Sequence, residues 1–292
     1  MKPNRYSRKE FLKLAGMSAA ALALPSVGFP QKKQQVANIG FQLYTVRREI
    51  EKDFEGAIRK VARMGFLGVE TYPLPPNATL QQAAAVFKKY GLTVFGMHTG
   101  LPVGEAREKV VQMAEIYQCK NVVHPGWPTK GEKYKNLDAT KQTAESYNEA
   151  AAFLKTEGLR LGLHNHWWEF EKTDGIIPFY YLLEHLNADI FFELDMYWVK
   201  TGGLNPATVV GDFGKRAPFL HIKDGPAKKG DTMYAHVPAG TGSLNFPSIV
   251  KAGNENIQWM IVEFDEYAGD IFEGMQQSYT FLTKNGLAKG NV

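Results

Sequence analysis

Cysteine is nearly absent from the chain: Cys119 is the only one. No intramolecular disulfide can form and no paired-cysteine metal site exists. Lying between a helical pattern and the apolar Val122-Val123, Cys119 is expected to be a buried structural thiol. No apolar run reaches the roughly 18 residues that a membrane span needs, so no span is expected in the mature protein. No glycine-rich loop opens a helix with a lysine beside it, and Gly240-Thr-Gly242 is too short to count as a phosphate cradle. Internal repeats are missing, as is any composition shift that would mark a second domain. The body also lacks net charge. The formal +4 resides in residues 1–28, where Lys2, Arg5, Arg8, Lys9 and Lys13 oppose Glu10; residues 29–292 sum to zero. A nucleic-acid partner wants a basic face on the folded domain, and none is expected here.

The amino-terminal segment reads as a leader. Residues 1–13 are basic, and residues 14–24 are apolar and alanine-rich, the pattern of a secretory signal. Ser26-Val27-Gly28 offers small residues before a cut after Gly28. Ser7-Arg8-Lys9-Glu10-Phe11-Leu12-Lys13 resembles the twin-arginine export motif, with Lys9 where the second arginine usually stands. Residues 1–28 are therefore expected to be an export signal. Residues 29–292 are expected to be the mature domain, periplasmic or otherwise outside the cytoplasm.

With 44% hydrophobic residues, the body can fill a large core. Its patterning alternates between two periods. Strand-like segments at 36–43, 66–69, 92–95, 121–123, 159–163, 189–192, 218–221 and 258–262 alternate with helical ones. The helical spacing covers 54–64, 80–90, 105–117, 138–157, 176–186, 206–213, 246–252 and 269–282. Gly65, Gly91 and Gly158 stand where three of these helices should stop. Eight strand-then-helix units over about 250 residues predict an α/β fold of the (β/α)8 TIM-barrel kind.

In such a barrel the chemistry gathers at the carboxyl ends of the strands. Here those ends carry Gln42, Glu70, His98, His124, His164 with His166, Asp195, His221 and Glu263. Asp195, His221 and Glu263 come from three successive strands and lie within reach of one ion. That mixture of carboxylate and imidazole suits Mn, Co, Zn, Fe or Mg, and the ligand types do not select one. Taken singly each has an ordinary role: Asp195 capping the next turn, His221 as a buried hydrogen bonder, Glu263 paired with Lys223. Together they predict a metal site, because unpaired buried carboxylates cost several kcal/mol.

The ordered motifs Asp195-Met-Tyr-Trp198, His221-Ile-Lys-Asp224 and Val262-Glu263-Phe264 resemble those of the xylose isomerase-like TIM barrels, the sugar phosphate isomerase/epimerase superfamily. The resemblance covers about residues 36–287. It implies a divalent metal ion on Asp195, His221 and Glu263. The family's fourth ligand, a glutamate on the fifth strand, aligns with Gly162, which cannot bind metal; His164 is the replacement candidate and His166 its rival. It further implies proton transfer by Glu263, with His98, His124 or Glu70 opposite. Gln42, Asn165, His166, Trp198, Lys223 and Asp224 are the expected substrate contacts, Trp198 standing where the family has histidine.

The implied reaction is isomerisation or epimerisation of an unphosphorylated sugar or keto-sugar through an enediolate. A dehydratase or lyase of the inosose or 3-keto-glycoside type shares the first chemical step, and a non-catalytic sugar-binding barrel is the third reading. An oligomer is compatible with all three.

Overall fold

A computed structural model describes residues 36–126 and 131–291. The expected leader, residues 1–28, lies outside the described residues. Eight parallel strands run in chain order: β1 (Ala37–Gln42), β2 (Gly68–Thr71), β3 (Thr93–His98), β4 (Asn121–His124), β5 (Arg160–His164), β6 (Phe191–Asp195), β7 (Phe219–Ile222) and β8 (Trp259–Val262). Each pairs with the next, and β1 pairs with both β2 and β8, which closes the cylinder. A two-residue β9 (Ala288–Lys289) adds to the start of β1. The predicted (β/α)8 barrel is the observed fold, and Gln35–Val292 forms one compact unit.

The helices form where their periods and caps dictate. Asp53 Oδ1 accepts from Gly56 N at the head of Phe54–Arg63. Thr79 and Gln82 close a reciprocal capping box on Leu80–Lys89, and Asn136 caps the long helix Leu137–Thr156; such caps are each worth about 1 kcal/mol. Gly91 and Gly158 follow two of these helices at φ of 72° and 70°. Neither has an atom within 4 Å of where a Cβ would stand, so the left-handed backbone alone calls for glycine there. Cys119 is buried, as its flanks predicted.

Because side chains alternate along a strand, each strand sorts its residues between the outer helix layer and the barrel lumen. Leu161 and Leu163, Phe192 and Leu194, Leu220 and Ile222, and Met260 and Val262 join the large outer core. Phe95, Val123, Phe191, Phe219 and Ile261, with Trp259, form a separate cluster inside the cylinder. Phe95 stacks on Trp259 with centroids 4.0 Å apart, and Phe219 meets both Phe95 and Phe191 edge-on. This plug fills the lower lumen, and the polar residues at the strand ends stand above it. Gly162 belongs to the plug layer. A Cβ there would lie 2.3 Å from the Phe191 ring, so Phe191 occupies the space beside the position where a glutamate was sought.

Candidate metal centre and substrate cavity

Counted from the plug toward the strand ends, the same alternation selects most of the polar floor; on β3 a register shift against Val69 and Glu70 brings His98 to the lumen three residues after Phe95. Gln42, Glu70, His98, His164, Glu193, Asp195, His221 and Glu263 all face the lumen mouth from their strand ends, and all but His98 are buried. The donor atoms of Asp195, His221 and Glu263 lie within 4.8 Å of one another. A second group, His98, His164, Glu193 and His221, meets the same limit. His221 belongs to both, and each of its nitrogens serves one. Nδ1 lies 2.5 Å from Glu263 Oε2, whereas Nε2 lies 2.8 Å from Glu70 Oε2 and 2.9 Å from Glu193 Oε1.

Asp195 divides its carboxylate between two tasks. Oδ1 accepts from the backbone N–H groups of Tyr197 and Trp198 at 3.0 and 3.1 Å, capping the short helix Met196–Thr201. Oδ2 faces the Lys223 ammonium at 3.1 Å. Lys223 also reaches Glu263 Oε2 at 3.0 Å and Asp265 Oδ2 at 2.8 Å.

The electrostatics follow from burial set against these contacts. Burial lifts the Asp195 carboxyl to about 6 against the pull of Lys223. Burial works against the charged His98 ring as well, but Glu70 and Glu193 outweigh it and hold its pKa at about 10. His221 is likewise raised despite burial, by Glu193 and Glu263. His164 is lowered by burial and by the neighbouring His221 ring, which leaves it neutral.

The residues present fit a divalent ion. Ligand atoms about 2.1 Å from a shared centre stand at most roughly 4.2 Å apart, so the first group needs only a small adjustment to close on one. Charge agrees. Glu70, Glu193, Asp195, Glu263 and Asp265 face Lys223 and, when both are protonated, the His98 and His221 rings. Two negative charges remain, the complement of one divalent cation.

Above the floor opens a cavity of about 550 Å³, lined on its polar side by Gln42, His98, His164, His166, Lys223, Glu263 and Asp265 and on its aromatic side by Tyr44, Tyr72, Trp198 and Tyr234. Tyr44 and Tyr72 meet edge-on at 4.8 Å, and Tyr234 meets Trp198 at 5.4 Å. His166 stacks on Trp168 with centroids 4.4 Å apart.

Several expected residues stand elsewhere. His124 is on the wrong parity: Val123 points into the lumen, so His124 turns outward, against Tyr147 and 3.1 Å from Lys133 Nζ. Burial and Lys133 depress it to about 3, and as a neutral ring outside the lumen it cannot serve as the opposing acid. Asn165 spends both ends of its amide on backbone, accepting from Asp195 N at 2.9 Å and donating to His166 O and Asp195 O. It clamps two strand ends together rather than facing the cavity. Asp224 accepts from the N–H groups of Gly225, Gly240, Gly242 and Leu244, which organises the loop after β7 and leaves nothing for a substrate. His164 falls in the second group, its Nδ1 3.1 Å from Glu193 Oε1, and that group meets the Asp195 group at the His221 ring.

Sequence reasoning missed Glu193 and Asp265. Each is two residues from a chosen carboxylate, Asp195 or Glu263, and thus on its face; that spacing was the available signal. It also missed His236, buried in the loop after β7, where Asp265 N donates to its Nδ1 at 3.0 Å. No spacing links His236 to a strand end.

The model of the xylose isomerase-like TIM barrel family matches residues 58–284. A sugar phosphate isomerase/epimerase from Parabacteroides distasonis ATCC 8503 superposes with a TM-score of 0.74 at 21% identity, covering 91% of this chain and 100% of that one. The probable 3-DHS dehydratase AsbF of petrobactin synthesis from Bacillus anthracis gives 0.68 at 11%, covering 84% and 98%. An L-ribulose 3-epimerase gives 0.64 at 14%, covering 86% and 94%. At such identities the likeness to these structures shows the shared fold. No curated protein matches the chain. The match over residues 58–284 spans most of the sequence, and the chain belongs to the xylose isomerase-like TIM barrel family.

Proposed function

We propose that this member of the xylose isomerase-like TIM barrel family is an exported, divalent-metal-dependent isomerase or epimerase of an unphosphorylated sugar or keto-sugar. The observation that carries the reading is the convergence of Asp195, His221 and Glu263 within 4.8 Å at the floor of the cavity. Bound there, an ion supplies Lewis acidity toward a carbonyl and the hydroxyl beside it.

The remaining work falls to the chain's own groups. Trp198, Tyr44, Tyr72 and Tyr234 offer ring faces on which the apolar face of a sugar can lie, while Gln42, His166 and Lys223 present polar atoms to its hydroxyls. Glu263 lines the cavity as a carboxylate, held ionised against burial by Lys223 and His221, and takes the proton from the carbon next to the carbonyl. His98, opposite it and protonated through Glu70 and Glu193, returns a proton to the resulting enediolate. Glu70, fully buried beneath both histidines, holds them in place rather than touching substrate. Three carboxyl groups around Lys223 leave no uncommitted cation there for a phosphate, which supports the unphosphorylated substrate.

A lyase acting on 3-keto-glycosides is the second reading, favoured by room. At interior packing density one hexose fills roughly 200 Å³, less than half of the 550 Å³ cavity. Incubation of the metal-loaded protein with sugars, keto-sugars and 3-keto-glycosides in D2O, followed by NMR, tests both. Deuterium entering at the carbon beside the carbonyl is expected. No exchange with any member of the panel would sink the enediolate, and release of the aglycone selects the lyase.

A further inference from the structure

Two aromatic rings stand exposed at the mouth of the barrel. Tyr72 is 37% exposed and Tyr234 38%; among the described residues no other Phe, Tyr or Trp is exposed. Both line the cavity. Single exposed apolar residues are ordinary, but two on one cavity form a patch. β2 and β6 stand four strands apart in a closed ring of eight. Tyr72, just past β2, and Trp198, just past β6, therefore belong to opposite walls. Tyr44 meets Tyr72 on the first wall, and Tyr234 lies 5.4 Å from Trp198 on the second. Trp198 is buried and Tyr234 exposed, so the aromatic lining has an inner and an outer level.

The outer level is fixed in place. Tyr234 is anchored on both sides: Met233 O accepts from Tyr197 Oη at 2.7 Å, and His236 Nδ1 accepts from Asp265 N at 3.0 Å. A ring held before its ligand arrives loses less entropy on binding. The charged neighbours are spent on one another. Arg47 covers the Tyr44 ring at 3.9 Å from its centroid, donates to the Tyr44 and Asp265 carbonyls and pairs with Glu266 at 3.0 Å. The other Glu266 oxygen takes Arg48, and Asp265 Oδ2 takes Lys223. The outer level thus presents rings rather than the uncommitted polar groups that the hydroxyls of a second sugar need.

We propose that the substrate is a glycoside with a planar aromatic aglycone, held at the mouth between Tyr72 and Tyr234 while the sugar ring rests on the floor. This rests on the proposed function only for the place of the sugar. Volume agrees: one hexose leaves more than half of the cavity of about 550 Å³, and a benzene ring needs roughly 150 Å³.

The test is calorimetric titration of the full chain, loaded with Mn2+, with methyl and phenyl glucosides, galactosides and xylosides in both anomeric forms, and with cellobiose and maltose. For at least one sugar the phenyl glycoside is expected to bind about tenfold or more tightly than the methyl glycoside. Tyr72→Ala and Tyr234→Ala, with circular dichroism reporting the fold, should bring that ratio toward one. Equal affinities for the two glycosides of every sugar, or a ratio that both variants keep, overturn the subsite, as does a failure of every glycoside to bind. A disaccharide that binds more tightly than any phenyl glycoside gives the outer level to a second sugar and overturns the aromatic aglycone. Deuterium uptake by a sugar without a phenyl preference leaves the proposed function standing and removes the subsite. A phenyl preference without deuterium uptake by any sugar upholds the subsite and sinks the enediolate.

Discussion

Lys223 Nζ lies 3.0 Å from Glu263 Oε2, so an ammonium from the residue just past β7 already rests on one of the carboxylates assigned to the ion. The contact with Asp195 Oδ2 at 3.1 Å makes it a competitor for both. Replacing Lys223 by Met should leave two buried carboxylates, Asp195 and Glu263, and the partly exposed Asp265 without their cation. Removing one partner of such a group costs about 3–5 kcal/mol, on the order of 10 °C in melting temperature for a domain of this size. Saturating Mn2+ should then raise the melting temperature of the variant more than that of the parent. Equal metal-induced shifts would show that Lys223 and the ion do not compete.

His221 is the one residue common to both ligand groups. His221→Ala should lose metal from the Asp195 group while circular dichroism reports an intact barrel, because the outer core and the aromatic plug are untouched. Full metal occupancy in that variant, measured by elemental analysis, would remove His221 from the ligand set.

The Glu169 carboxyl is buried and raised to about 8 by that burial, against backbone hydrogen bonds from His166 and Glu169 that lower it. The folded state therefore binds a proton that the unfolded chain releases near pH 4.5. This contribution to stability is complete below about pH 4.5 and is lost as pH rises through 8. Its full size is at most about 5 kcal/mol. Glu169→Gln keeps the shape and removes the proton. The difference in unfolding free energy between parent and variant should move toward the variant between pH 5 and pH 9, as denaturant titrations will show. A difference independent of pH would mean that Glu169 stays ionised in the fold.

Gly162 cannot regain a side chain without moving Phe191. Gly162→Ala brings a Cβ to 2.3 Å from that ring and should destabilise the barrel by about 1–3 kcal/mol, measured by denaturant midpoint. A neutral result would show that the plug yields and that the glutamate of other family members could be accommodated here.

Much of the site was legible because a strand's period is two. Once Leu161 and Leu163 are assigned to the outer core, His164 must face the lumen, and Phe219 carries His221 with it on β7. The same rule, applied to β4, would have turned His124 outward. It was not decisive there because Asn121–His124 is short and Val122-Val123 is apolar on both faces, so the sequence shows no alternation to count. Asn165 and Asp224 were named from motifs, and polar side chains at strand ends bind backbone as readily as substrate. The geometry settles that both bind backbone.

Element order, the closed parallel barrel and the identity of most inward carboxylates and imidazoles are consequences of local period, capping and glycine placement, all of which act within a few residues. The partnerships are not. That His221 stands between Glu263 and Glu193, that Lys223 rests among three carboxylates and that Phe191 occupies the side of Gly162 depend on the register between strands. Register is set by how all eight strands pack around one plug, and no short stretch of the chain contains that information.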